Sequence, residues 1–382
     1  MKLFYLPLEP YIERYTYFLS AEDGWFANDC KRLGIPCERV APETTAVRSI
    51  RAGAVLDAVG RSQWALRQID ALLTKIDAGE VHDDDVVFVE DFWHPGVEAL
   101  FYARHLLGAK FRVATFCFAQ SIDDTDFMFE MRDWAGAMER GMSFAYDFIG
   151  FASPILRELA CKHQWNSSAC HVIGLPFNST RLLEQLADMR FILPQQRRER
   201  SVIFSSRFDK EKNPMFFLEL VKRCPDINFT LTMPKPIERC SNDPSVIEAL
   251  KEVLATVSNL TLVDTSETAG GRGKLRYYYA LRQSEVQFNC AEQDWVAYTL
   301  LEATLFGCLP LYPDWKDFPY ELESVRDCCV YVKGDVDAAE RQLRKLLSFS
   351  EDGRGRLRSQ VQDVYRKHDQ AHFRMFNLLG LL

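Results

Sequence analysis

Asp294-Trp-Val-Ala-Tyr-Thr-Leu-Leu-Glu302, continued by Ala303 and the run Phe306-Gly307-Cys308-Leu309-Pro310-Leu311-Tyr312, decides how this chain is read. Two acidic residues eight apart bracket a loop that enters an amphipathic helix; Gly307 stops the helix and an apolar strand follows. A helix start has unpaired N–H groups and about half a positive charge, so the turn at Tyr298, Thr299 and Leu300 suits a phosphate. Glu302, about one turn deeper, can accept hydrogen bonds from two neighbouring hydroxyls such as a ribose presents. Phosphate and ribose together describe a nucleotide. The same two carboxylates also fit a solvated helix face, so the reading needs a second motif.

That motif lies upstream. The β-rich run Ser201-Val-Ile-Phe-Ser-Ser206 leads into Arg207-Phe-Asp-Lys-Glu-Lys212-Asn-Pro214, and Pro214 opens the helical pattern Phe216, Phe217, Leu220, Val221. Two cations thus stand at the carboxyl end of a strand, where ligands collect in open α/β sheets. An arginine fork and a lysine point charge suit a diphosphate whose negative charge grows as it leaves.

Together the two motifs resemble retaining GT-B glycosyltransferases of the family-4 type. Arg207 and Lys212 match the arginine and lysine of that family's basic loop, with Ser206 where a glycine is usual. Asp294 and Glu302 match its acidic pair, with Asp294 for the usual glutamate and Ala297 where glycine is common. The resemblance implies an α/β GT-B fold, two doubly wound Rossmann-like domains facing a central cleft. It implies a nucleotide-sugar donor, UDP-linked, on Arg207, Lys212, Asp294, Tyr298, Thr299, Leu300 and Glu302. It implies transfer to an acceptor hydroxyl with retention, the positive loop and helix start replacing a metal.

The rest of the sequence is consistent with two domains. At 382 residues, 47% apolar and 13% aromatic, the chain exceeds what one core organises. Expected strands are Leu3–Pro7, Val86–Glu90, Phe111–Phe116, Phe148–Phe151 and His171–Ile173, then Val202–Ser205, Ile227–Leu231, Leu260–Val263, Val286–Phe288, Leu309–Leu311 and Val330–Val332, alternating with helical patterns as parallel sheets require. The expected domains are 1–176 for the acceptor and 201–359 for the donor, joined by a linker at 177–200. A helix at 360–382 returns to the first domain.

Eleven cysteines without a Cys-x-x-Cys pair suit free thiols in a reducing compartment. No segment reads as a signal or a membrane span, so the expected location is cytoplasmic, with no membrane partner. A net charge of −8 excludes a wholly basic nucleic-acid binder but not a local basic groove.

On the acceptor side, Asp85-Val-Val-Phe-Val-Glu-Asp91-Phe-Trp93-His94-Pro95-Gly96-Val-Glu98 delivers Asp91, Trp93, His94 and Glu98 from a buried strand to its carboxyl end. His94 can orient a sugar hydroxyl, carry a proton, or be a structural hydrogen-bonder. In Cys117-Phe-Ala-Gln120-Ser121-Ile-Asp123-Asp124-Thr-Asp126, the carboxylates Asp123 and Asp126 either take an acceptor proton or cap the next helix. Asp124-Thr-Asp126 also has the Asp-x-Asp form that binds metal in single-domain transferases, which lack a second sheet with the Arg207, Lys212 and Glu302 constellation.

The opening Leu6-Pro-Leu-Glu9-Pro10-Tyr-Ile-Glu13-Arg14-Tyr15-Thr16 replaces the glycine-rich first loop of family 4. With Leu56-Asp57, Gln68, the Asp91–Gly96 block and Gln293-Asp294-Trp295, it resembles bacteriophage glycosyltransferases that decorate hydroxymethylated pyrimidines in DNA. That resemblance implies a DNA acceptor, with Arg14, Tyr15, Trp93 and Trp295 near the flipped or protruding base. Two other readings stay open: a GT-B enzyme acting on a cell-surface glycan, lipid carrier or small molecule, and a non-catalytic nucleotide-sugar-binding protein.

Overall fold

The computed structural model describes residues 1–10, 16–42, 57–189, 192, 197–267 and 272–382. Among these the chain forms two compact units, Met1–Arg181 with Asp369–Leu382, and Leu182–His368. Each is built on one parallel sheet.

In the first unit the strands are β1 (Leu3–Leu6), β2 (Cys37–Arg39), β3 (Val86–Val89), β4 (Arg112–Phe116), β5 (Phe148–Phe151) and β6 (Cys170–Val172), in the order β2-β1-β3-β4-β5-β6. In the second they are β7 (Ser201–Phe204), β8 (Asn228–Met233), β9 (Leu260–Asp264), β10 (Val286–Phe288), β11 (Leu309–Pro313) and β12 (Val330–Tyr331), in the order β12-β11-β10-β7-β8-β9. The central strands β1 and β3 are continuous apolar runs, and all four of β1, β3, β7 and β10 are buried throughout, which is what a sheet covered by helices on each side demands. Strand order reverses between β1 and β3, paired from Leu3 opposite Val86 to Leu6 opposite Val89, and again between β7 and β10, paired from Val202 opposite Val286 to Phe204 opposite Phe288. At such a reversal the loops diverge and leave a crevice at the carboxyl ends.

β2 was not among the expected strands. Its Cys-Glu-Arg sequence is half-buried along its length and sits at the sheet edge, so it carries no apolar run to betray it. The stretch expected to be a linker carries a helix, Ser179–Asp188, and the expected final helix is two, Glu351–Asp369 and Ala371–Leu378, interrupted at Gln370. Within the first unit the last helix packs Phe376 on Phe26, whose ring stacks between Tyr5 and Phe88, and His372 meets Asp29 at 2.7 Å.

The helix Arg272–Gln283 of the second unit lies hard against the chain that follows β9. A Cβ on Gly273 would stand 2.1 Å from the Thr265 carbonyl oxygen and 2.8 Å from that of Glu267, both backbone. Gly273→Ala should therefore lower unfolding free energy by about 1–3 kcal/mol, as overpacking does. An unchanged denaturant midpoint would show that this approach is not what seats the helix.

Candidate functional site

The carboxyl ends of β7 and β10 gather the residues of both motifs. After β7 the chain passes Ser205 and Ser206 into the Arg207 loop, and a short 3-10 turn at Lys210–Lys212 buries the Lys212 side chain. From there its Nζ donates to Asp294 Oδ1 at 2.6 Å, joining residues 82 positions apart. Lys212 is 9% exposed and Asp294 24%, so the pair sits in a largely desolvated spot. Arg207 is 44% exposed, and its two Nη atoms donate to Asp209 at 2.9 Å and Glu211 at 2.7 Å. The two cations therefore differ: one is buried against the acidic motif, the other is a surface fork held by acids of its own loop.

The helix Tyr298–Leu305 begins after Ala297 in extended conformation, with no side-chain cap. Thr299 Oγ1 lies 3.3 Å from the Tyr312 hydroxyl at the end of β11. Gln287 of β10 donates to Ser205 at 3.2 Å and Asn289 to Ser206 at 3.5 Å, so the strand ends carry a connected set of polar groups. Glu302 is buried, and each of its carboxylate oxygens already accepts a tyrosine hydroxyl at 2.6 Å, Tyr278 on Oε1 and Tyr277 on Oε2. Burial first, then the neighbouring Glu302, pushes both phenols above their usual range, so they remain donors. A carboxylate offers about four lone-pair sites, which leaves two for a further pair of hydroxyls. Tyr277 and Tyr278 were invisible in the sequence because Tyr277-Tyr-Tyr279 reads only as helix surface and core.

In the first unit, Arg61 from the helix Ala58–Asp77 occupies the β1/β3 reversal. It donates to Glu9 Oε2 and Asp91 Oδ2, both at 2.8 Å, and to the Trp93 carbonyl at 3.0 Å. Gln68, two turns along the same helix, donates to the carbonyls of Pro7 and Val40, so its oxygen faces His94 Nε2 at 3.0 Å. That network puts the imidazole proton on Nε2. Gly96, at φ +88°, turns the chain into the helix Val97–Leu107, where a Cβ would meet Leu66 Cδ2 at 2.8 Å.

Several expectations for this side change. His94 does not suit a proton carrier: burial, and then the Arg61 charge, hold it down to about 3, so it is neutral at physiological pH. Asp126 caps the turn Phe127–Met131 by accepting from Met128 N at 2.9 Å, and Asp123 accepts from the Thr125 amide and hydroxyl, so both serve local backbone. Trp93 Nε1 donates to Glu139, which also holds Ser121. Glu98 is exposed on the first turn of its helix. Trp295 belongs to the second unit, with Lys316 Nζ 4.7 Å above its ring. Arg14, Tyr15 and Leu56 lie outside the described residues.

Among the described residues no three metal-ligating side chains cluster, and no helix is long and apolar enough to cross a membrane.

No family profile and no curated protein sequence matches the chain. Solved structures do. Sucrose-phosphate synthase of Thermosynechococcus elongatus is 10% identical with a TM-score of 0.65, covering 100% of this chain and 97% of that one. HepE of Anabaena, in complex with UDP, is 11% identical with a TM-score of 0.62 over 100% of both chains. The UDP-forming trehalose-phosphate synthase of Burkholderia xenovorans is 13% identical with a TM-score of 0.60, covering 85% and 78%. The fold is GT-B. At these identities the likeness is one of architecture.

His94 gives the site a pH signature. The unfolded imidazole titrates near 6.5 and the folded one near 3, so the unfolded chain binds the extra proton between those values. The contribution to stability is complete above about pH 6.5 and is lost as pH falls toward 3. His94→Gln should therefore lose less thermal stability than wild type between pH 7 and 4; equal losses would contradict the buried neutral ring.

Proposed function

We propose that this protein is a glycosyltransferase that moves a sugar from a UDP-sugar to an acceptor hydroxyl. The observation that carries the reading is the Lys212–Asp294 pair, which joins the basic loop to the acidic motif at the strand-order reversal of the second sheet. UDP-bound HepE, with the same architecture, supports a UDP-linked donor. In this reading Lys212 and Arg207 face the diphosphate, with Arg207 exchanging Asp209 and Glu211 for phosphate oxygens. The amides at Tyr298, Thr299 and Leu300 add positive potential. Asp294 orients Lys212, and Glu302 takes the ribose diol on its two remaining acceptor sites.

The bond between the sugar C1 and the diphosphate oxygen breaks, the electron pair staying with the diphosphate. The acceptor oxygen bonds to C1, and its proton passes to the departing diphosphate, which has gained the electron pair. Stabilising the departing diphosphate dominates, by cations already in place. Retention of configuration follows from the family-4 resemblance, and no protein-bound metal is needed for these roles.

The acceptor belongs to the first unit, near Asp91, Trp93 and His94 at the carboxyl end of β3. The resemblance to phage enzymes favours a hydroxymethylated pyrimidine in DNA. A glycan, lipid carrier or small molecule is the competing acceptor, and a non-catalytic nucleotide-sugar binder the competing class.

A panel of nucleotide sugars assayed for diphosphate release, with and without hydroxymethylated DNA, tests all three. Arg207→Ala should lower turnover on the order of a hundredfold, about 3 kcal/mol of transition-state stabilisation. Wild-type turnover in that variant removes Arg207 from the site. Glu302→Gln should weaken UDP binding by calorimetry while leaving uridine-independent phosphate binding unchanged; unaltered UDP affinity contradicts the ribose role. With a DNA acceptor, binding should fall steeply between 50 and 200 mM salt. A flat response points to a small neutral acceptor.

A further inference from the structure

The outer edge of the first sheet carries a pair of thiols that the donor chemistry does not use. Cys37 opens β2 opposite Leu3, the first residue of β1, so it stands at the amino ends of these parallel strands, away from the carboxyl ends. Cys30 lies on the helix Trp25–Arg32 and is 1% exposed. The chain turns back after it through Gly34, at φ +70°, and the Ile35 amide donates to the Cys30 carbonyl at 2.9 Å. Both cysteines are free, both line one cavity of about 440 Å³, and the Cys30 thiol is the hydrogen-bond partner of Cys37.

The two sulfurs are not alike. Cys37 is half-buried, and the hydrogen bond from Cys30 holds it below the usual thiol range, with Lys2 acting in the same direction and burial and Glu38 opposing. The same bond, then burial and the charges of Cys37 and Asp29, push Cys30 up, so it keeps its proton. Elsewhere burial pushes up the thiols of Cys117, Cys224, Cys290 and Cys329. The thiolate is the nucleophilic form, which sets Cys37 apart. Arg39, two residues along β2 and so on the same face, also lines the cavity, and its buried Nε–H has no hydrogen-bond partner. Such a donor suits an oxygen that departs with negative charge. A second thiol within reach suits chemistry that ends in a disulfide.

We propose that Cys37 and Cys30 form a site that reduces hydroperoxides in the cavity between the helix Trp25–Arg32 and β2, Cys37 taking the oxygen and Cys30 closing the disulfide. In the first step the Cys37 sulfur attacks the outer oxygen of the hydroperoxide. The S–O bond forms, the O–O bond breaks, and the departing alkoxide or hydroxide, facing Arg39, takes up the proton Cys37 has lost and leaves as an alcohol or water. In the second step the Cys30 sulfur attacks the sulfenic sulfur of Cys37, and the hydroxide expelled takes the Cys30 proton and leaves as water. The two thiols together give up two electrons, which an external dithiol returns by thiol–disulfide exchange. The disulfide ties β2 to a helix whose Phe26 and Asp29 hold Phe376 and His372 of the last helix. None of this rests on the transferase reading.

The test is peptide mapping by mass spectrometry on the reduced full chain. In wild-type protein at neutral pH, iodoacetamide should alkylate Cys37 about tenfold faster than Cys161 and Cys328, the other half-buried cysteines. Hydrogen peroxide in small molar excess should give a Cys30–Cys37 disulfide before any other cysteine is oxidised, and dithiothreitol should return it to two thiols. Cys30→Ser should stop at the sulfenic acid, trapped by dimedone on Cys37, and Cys37→Ser should leave Cys30 reduced. The alkylation rates and the disulfide are read on wild-type protein and do not depend on how either variant folds. The proposal is overturned if Cys37 alkylates no faster than Cys161 and Cys328, if peroxide leaves the pair as thiols, or if Cys161 and Cys170 cross-link first.

Discussion

A lysine that is nine-tenths buried has to be answered by a carboxylate, and in this protein that requirement ties the second unit together where it matters. Lys212 reaches its position because the chain leaves β7 through a tight turn, and Asp294 meets it because the loop after β10 runs alongside. Removing either partner from such a pair typically costs 3–5 kcal/mol, since it strands the other charge out of water. The pair is thus a constraint on the backbone around it. It fixes the basic loop and the entry to the Tyr298–Leu305 helix relative to one another before any ligand arrives.

Both sheets reverse strand order, and both place charge at the reversal, with opposite emphasis. In the second unit two cations and a helix start favour an anion. In the first, two carboxylates share one guanidinium, and the imidazole alongside stays neutral. The fold offers the same crevice twice, and the side chains at the strand ends decide what each one accepts.

Much of this was legible in the sequence because the central strands are buried on both faces and most of them, such as Leu3–Leu6 and Val86–Val89, read as unbroken apolar runs. The basic loop and the acidic pair could be ordered along the chain, and Pro214 and Gly307 marked where helices start and stop. Contacts set by tertiary packing were not legible. Glu302 gave no hint that its oxygens hold Tyr277 and Tyr278, since those tyrosines lie 25 and 24 residues earlier, across β10 and its following loop. Arg61 and Gln68 showed only a seven-residue spacing on one helical face, with nothing to say that Glu9 and His94 would come to them. His94 looked like a titratable group because exposure cannot be read from the residue alone; buried against Gln68, it is not one at neutral pH. For Asp123 and Asp126 the sequence left acceptor base and helix cap equally open; in the fold each accepts a hydrogen bond from an amide of the turn beside it.

The most direct measurement is a crystal structure of the protein with UDP bound. The diphosphate is expected at the carboxyl ends of β7 and β10, within hydrogen-bonding distance of Lys212 Nζ, with the ribose hydroxyls on Glu302. A diphosphate bound anywhere else, or a ribose that leaves Glu302 to its two tyrosines alone, would contradict it.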